Sequence, residues 1–168
     1  LRMAHKLGIS TLIQEQNSFA GLTNKWLSKK ALKICVAYDN MERFFESHKL
    51  ILTGNPVRKD IQNLSSKFDE ANKYFNVDHS VKVVLVLGGS LGAKSINEGI
   101  MKSANLLTNK PIKLIWQVGK RYFDDIENWL INNNFKNIQV MPFIERMDLA
   151  YSVSDIIISR AGAIAISE

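Results

Sequence analysis

Short apolar runs alternate with amphipathic stretches along this chain of 168 residues. Seven runs have the length and Val/Ile/Leu content of buried strands: 11–13, 34–37, 50–53, 81–87, 113–117, 138–141 and 155–159. Helical periodicity falls between them, at 20–28, 41–46, 61–74, 94–107, 122–131 and 147–154. Strand–helix–strand alternation predicts right-handed crossovers and parallel sheets covered on both faces, an α/β fold. Gly54-Asn55-Pro56 stops the third strand, since Gly and Asn accommodate turns and Pro lacks a donor. A polar helical stretch follows. The pattern therefore predicts two α/β units, 1–56 and 57–168. Leu1 lies in what reads as a helix tail and Glu168 at the start of another helix. Both ends read as cut, so the expectation is a fragment, its first unit incomplete and its second truncated at the C-terminal end.

Ligands of open parallel sheets bind beyond the carboxyl ends of the strands. Polar and glycine clusters fall at those ends: QEQN, TGNPVR, GGSLGA, QVGK, PFIERM and SRAGA. The most informative is Gly88-Gly89-Ser90-Leu91-Gly92, between the most hydrophobic strand and a helical pattern. Glycines let the backbone turn sharply and leave room for a ligand. The following helix directs free N–H groups and a positive dipole end at the turn, and the usual occupant is a phosphate. The turn is not a P-loop, because Ala93 stands where that motif needs its second glycine. Nor does it read G-x-G-x-x-G. The alternative is a plain tight turn without a ligand. Ser90 can donate a hydroxyl to a phosphate, and Leu91 is expected to pack.

Other residues carry two readings each. Arg58 can fork onto a diphosphate or stand as a solvated linker residue. Glu15-Gln16-Asn17 offers one acid and two amides suited to a hydroxyl-rich ligand, or Asn17 and Ser18 are helix caps. Glu168 can accept from two ribose hydroxyls or lie on the surface. His5, His48 and His79 lack metal-ligand spacing and read as surface residues. Trp26, Trp116 and Trp129 are expected in the core.

Composition narrows the class. Hydrophobic residues make up 46% and charged residues 23%, as in ordinary globular proteins. No apolar run approaches the ~20 residues of a membrane span, and no secretory signal is visible. Cys35 is the single cysteine, which excludes an internal disulfide framework and fits a reducing cytoplasm. The net charge of +6 suits anionic partners, either nucleotides or lipid surfaces. Its dispersed distribution argues against nucleic acid.

The ordered set QEQNSFAGLTNKWL, TGNPVR, GGSLGAKSINE, PFIERMDLAYSVSDIIISRAGA and SE resembles one family over effectively the whole chain. It is the bacterial undecaprenyl-diphospho-muramoylpentapeptide N-acetylglucosaminyltransferases, the MurG group of glycosyltransferase family 28. The resemblance implies two Rossmann-like domains in the GT-B arrangement. Residues 1–56 would be the end of the acceptor-binding domain and 57–168 most of the UDP-sugar domain. It implies an inverting transfer of N-acetylglucosamine from UDP to a lipid-linked muramoyl pentapeptide, in peptidoglycan synthesis, at the inner face of the cytoplasmic membrane. No cofactor or metal is implied. Ser90, in the turn Gly88, Gly89, Gly92, would meet the diphosphate, and Arg58 the phosphate side. Ile144 would hold the uracil edge through its backbone. Ala163, Ile164, Ala165 and Glu168 would line the nucleotide and sugar, with Glu168 on the ribose. Asn17 would face the sugar or acceptor. The family commonly has His at Gln14 and often Thr at Ala165. Its Gly-rich N-terminal loop and general base would precede Leu1, so these residues alone are expected to be inactive. Another UDP-sugar protein of this fold, such as an epimerase, and a non-catalytic nucleotide module are the alternatives.

Overall fold

The computed structural model describes residues 1–61, 63–78, 80–107 and 110–168, so His79 lies outside the described residues. Contacts divide the chain into two units, Leu1–Val57 with Gly162–Glu168, and Arg58–Ala161.

The first unit holds a parallel sheet of β1 (Leu12–Glu15), β2 (Lys33–Val36) and β3 (Leu50–Leu52), in that order. Alternate strand residues point inward: Ile13, Ile34 and Val36 are buried with Ala20, Ala31, Met41 and Phe45. Helices α1 (Arg2–Lys6) and α2 (Leu22–Ser28) belong to this unit. So does α7 (Ala163–Ser167). The sequence places 57–168 in one domain, whereas by contact α7 groups with the first unit. Asn55 links α7 to this unit: its Nδ2 lies 3.4 Å from the Ala163 carbonyl and 3.0 Å from Ser167 Oγ.

The second unit is a parallel sheet in the order β6-β5-β4-β7. These are β4 (Lys82–Leu87), β5 (Ile112–Gln117), β6 (Ile138–Met141) and β7 (Ile156–Ser159). All seven runs predicted as strands are strands, with ends shifted by up to two residues. Every residue of β4 after Lys82 is buried, as expected of a central parallel strand. One face packs on α3 (Phe68–Phe75) and α6 (Met147–Val153) through Phe75, Leu85, Ile115 and Leu149. The other packs on α4 (Lys94–Leu107) and α5 (Phe123–Asn133) through Val86, Ile100, Trp116 and Ile126.

Two helical expectations fail. The stretch 41–46 is only a 3-10 turn, Met41–Arg43, entered from Asn40 in the left-handed region at φ 60°. In place of the first half of 61–74, one 3-10 turn ends at Ile61 (Lys59–Ile61) and a second, Ser65–Lys67, precedes α3. The α-helix begins only at Phe68, after Lys67 at φ −105°. Tryptophan placement is also mixed. Trp116 is fully buried and Trp129 packs at the edge of its cluster, but Trp26 is 58% exposed. Its ring lies 4.6 Å from the Arg2 guanidinium, an arrangement that suits an aromatic in contact with water.

Candidate functional site

The strand order decides where a ligand fits in the second unit. From β4 the chain moves outward to β5 and β6, then returns to the opposite side of β4 with β7. The order reverses between β4 and β7, and a crevice opens at such a switch point beyond the carboxyl ends. The turn Gly88–Gly92 leaves β4 at that point, and Ser159-Arg160 leaves β7 beside it.

The three glycines of the turn differ in what they do. Gly88 is buried, and a Cβ there would lie 2.9 Å from the Ala93 nitrogen and 3.1 Å from the Gln117 carbonyl. Gly92 adopts φ +78°, and a Cβ would collide with the Val118 carbonyl and the Tyr122 ring. Gly119, at φ +86°, lies so close that a Cβ there would overlap the Gly92 backbone. Gly92 is thus demanded by packing between two loops, a reason its place in the motif does not reveal. Gly89, at φ +78°, faces open space, with the Arg160 guanidinium 3.8 Å from where a Cβ would stand. The site-facing residues are therefore Gly89, Ser90 and Arg160, all exposed. Sequence reading missed Arg160 as a site residue; the signal was its place in SRAGA, at the end of the strand that pairs with β4. Leu91, expected to pack, is 82% exposed.

Helix α4 runs from Lys94 for 14 residues, and the Asn97 N–H donates to the Ala93 carbonyl at 2.9 Å. Its dipole therefore ends at the turn, an attraction for anions of roughly 0.3–1 kcal/mol. Asn97 is buried; its Nδ2 donates to the Val118 carbonyl at 3.1 Å and its Oδ1 accepts from Trp116 Nε1 at 3.2 Å. That buried link holds the start of α4 against the end of β5. Ile144 is 2% exposed, and its N–H donates to Gln117 Oε1 at 2.8 Å. Its carbonyl is the remaining main-chain group that could meet a ligand edge. Arg58 is exposed at the first position of this unit.

In the first unit, Glu15 organises the QEQN loop. It is 2% exposed at the end of β1. Its Oε1 accepts from the Asn17 N–H and Nδ2, both at 3.1 Å. Its Oε2 accepts from the Gly21 N–H at 2.8 Å and Asn24 Nδ2 at 3.0 Å. Burial pushes the carboxyl up, but the bonds from Asn24, Gly21 and Asn17 outweigh it and hold Glu15 below the ordinary glutamate value. A saturated, ionised carboxylate is an anchor and not a general base. Neither Asn17 nor Ser18 caps α2, as one sequence reading had it. The N-cap is Gly21, whose N–H is held by Glu15. Gln14 Nε2 reaches the Gly54 carbonyl at 3.4 Å, and Asn55 Nδ2 reaches the Gln16 carbonyl at 3.2 Å. QEQN and TGNP are thereby tied together, with α7 attached through Asn55. Ala163 and Ile164 are half-buried, Ala165 is exposed, and Glu168 donates its N–H to the Ile164 carbonyl at 3.0 Å. Among the described residues no cluster of three His, Cys, Asp or Glu side chains could hold a metal.

The second unit is a doubly wound parallel α/β unit with a glycine turn and an arginine at its switch point, the place where ligands of such sheets bind. Comparison with known proteins makes this specific. The model of the glycosyltransferase family 28 C-terminal domain matches residues 83–168, and the chain belongs to that family. It is 52% identical over 168 residues to the UDP-N-acetylglucosamine--N-acetylmuramyl-(pentapeptide) pyrophosphoryl-undecaprenol N-acetylglucosamine transferase of Flavobacterium psychrophilum, covering all of this chain and 45% of that protein. The crystal structure of Acinetobacter baumannii MurG is 33% identical with a TM-score of 0.65, over 98% of this chain and 44% of that one. A UDP-GlcNAc 2-epimerase from Neisseria meningitidis shares the fold alone, at 17% identity and a TM-score of 0.58, over 96% of this chain and 50% of that one. The chain thus spans a little under half the length of the curated relatives it matches.

Proposed function

We propose that the whole protein is an inverting transferase that moves N-acetylglucosamine from UDP to a lipid-linked muramoyl pentapeptide. The observation that carries this reading is the glycine turn with Arg160 at the switch point, in a chain so similar over its whole length to transferases named for that reaction. Residues 57–168 are assigned to the donor and 1–56 to the acceptor.

In this reading the acceptor hydroxyl attacks the anomeric carbon, its new C–O bond replacing the bond to UDP, while a base takes the hydroxyl proton. The departing diphosphate gains charge. Ser90, the N–H groups at the start of α4, and the guanidinium groups of Arg160 and Arg58 would stabilise it. Ile144 would read the base through its main chain. Ala163, Ile164 and Ala165 would line the nucleotide and sugar, with Glu168 on the ribose, and Asn17 would meet the sugar or acceptor. Calorimetry on the full-length protein should detect UDP-N-acetylglucosamine but not UDP-glucose, and Arg58→Ala should weaken UDP binding about tenfold. Absence of binding by any uridine nucleotide would sink the reading, and unchanged affinity would remove Arg58 from it.

We further propose that the first unit touches the anionic inner face of the cytoplasmic membrane. Leu22 and Trp26 are exposed on α2, with Arg2 beside Trp26. The Lys25 ammonium lies 4.3 Å from the rings of both Phe19 and Phe44. Apolar rings among cations suit an interface of acyl chains and anionic headgroups. No helix of the described residues is long and apolar enough to cross a membrane. The full-length protein should co-sediment with phosphatidylglycerol vesicles but not phosphatidylcholine vesicles, and Leu22→Ser with Trp26→Ser should abolish this. Equal binding of the double variant would refute the surface.

A further inference from the structure

Gln117 is out of character for its position. It ends β5, the strand between β4 and β6, where its predecessors Leu114, Ile115 and Trp116 are fully buried and apolar or aromatic. Gln117 is itself 3% exposed. A buried amide needs a partner that repays its desolvation, and its contacts show which. Its main-chain carbonyl accepts the Gly88 N–H at 3.1 Å, at the entrance of the glycine turn. Its side-chain Oε1 accepts the Ile144 N–H at 2.8 Å, three residues beyond the end of β6. One residue thereby holds the loops that leave both neighbouring strands. The main-chain ladder reaches only to the Val118 N–H, which donates to the Met141 carbonyl at 3.0 Å. Beyond that the chain 142–145 turns away, and the glutamine side chain spans the gap that backbone pairing cannot.

We propose that Gln117 is a positioning residue of the nucleotide site, fixing the main chain of Ile144 at a set distance from the Gly88–Gly92 turn and so matching the site to a uridine diphosphate. The proposal rests on the uridine-nucleotide reading of this site. A nucleotide spans base to phosphate over a fixed length, so a site that grips both ends discriminates only if its two walls are rigidly spaced. An aliphatic side chain would leave the buried Ile144 N–H without an acceptor, and the loop would relax to find one. A carboxylate keeps the acceptor, and asparagine is one methylene too short to reach.

The test uses the full-length protein with Gln117→Met, Gln117→Asn and Gln117→Glu. Amide hydrogen exchange at Ile144 should be about tenfold faster in the Met and Asn variants, and restored in Glu. Calorimetry should show about tenfold weaker UDP binding for Met and Asn, with the preference for UDP over CDP reduced and recovered in Glu. In turnover, KM for the sugar nucleotide should rise while kcat stays within about threefold, because the contact acts on binding and not on the reacting bond. Unchanged exchange at Ile144 in both Met and Asn would overturn the proposal. So would loosened exchange with unchanged UDP affinity and base preference. If the unsubstituted protein binds no uridine nucleotide, the functional reading falls, while exchange at Ile144 still judges the Gln117 contact on its own. Should Gln117→Met fail to fold, Gln117→Asn supplies the same readouts.

Discussion

Gly92→Ala is expected to cost at least about 3 kcal/mol of folding stability, a large part of the roughly 5–15 kcal/mol that holds a domain together. Two penalties combine. A side chain at φ +78° pays about 1–2 kcal/mol for left-handed backbone. The added carbon also overlaps the Val118 carbonyl and comes within 2.7 Å of the Tyr122 ring. Backbone atoms cannot swing aside as a flexible side chain can, so the loops after β4 and β5 must part. Gly89→Ala is the matched control: it has the same φ of +78° but only the Arg160 guanidinium nearby, at 3.8 Å. It should cost only the left-handed penalty of about 1–2 kcal/mol. Urea unfolding of both variants, followed by tryptophan fluorescence, checks this. Equal shifts in the midpoint would show that the loop-to-loop packing carries no weight.

Asp148→Ala is expected to destabilise by about 3 kcal/mol, the lower end of the range for breaking a buried ion pair, because its cationic partners keep contact with water. The carboxylate is buried at the start of α6. Its Oδ2 lies 2.7 Å from Lys67 Nζ and 2.9 Å from Arg146 Nη2, and its Oδ1 accepts from Arg146 Nε at 3.0 Å. Arg146 also reaches Glu70 on α3 at 3.0 Å, so the cluster ties α6 to α3 and to the turn before it. The Arg146 hydrogen bonds, helped by Lys67 and opposed by burial, hold the Asp148 carboxyl well below the ordinary aspartate range. A carboxyl depressed in the folded state adds stability that is fully present above its unfolded pKa, about 4, and is lost as the pH falls below it. The unsubstituted protein should therefore lose stability below about pH 4 more steeply than Asp148→Ala. Parallel stability curves for the two proteins would refute the role given to Asp148.

Much of the fold was legible because strand signals here are strong. Val83–Leu87 and Leu114–Trp116 are continuous apolar runs, the pattern of a parallel strand covered on both faces. The helices 41–46 and 61–74 were misread because apolar spacing reports a buried face, not the backbone that presents it. Met41, Phe45 and Ile61 are all buried, yet Met41 and Ile61 ride on 3-10 turns and Phe45 lies in the bend that follows one. Trp26 misled for a related reason: aromatic composition does not distinguish a core ring from one held at the surface by a cation.

The sequence by itself determined the alternation of strands and helices, the place of the glycine turn after the strongest strand, and the family. These depend on local backbone preference and on residue order, which a linear reading captures. Only the tertiary structure decided that the strand order reverses between β4 and β7, and so set Arg160 beside Gly89. It also separated the glycines, since Gly92 yields to Gly119 across two loops while Gly89 stays open. It made Glu15 the anchor of its loop, and joined Gln117 to Ile144. Each of these rests on residues brought together by strands that are neighbours in the sheet or by a loop folding back. Such contacts are paid for by burial of the core and not by any preference of the residues that make them.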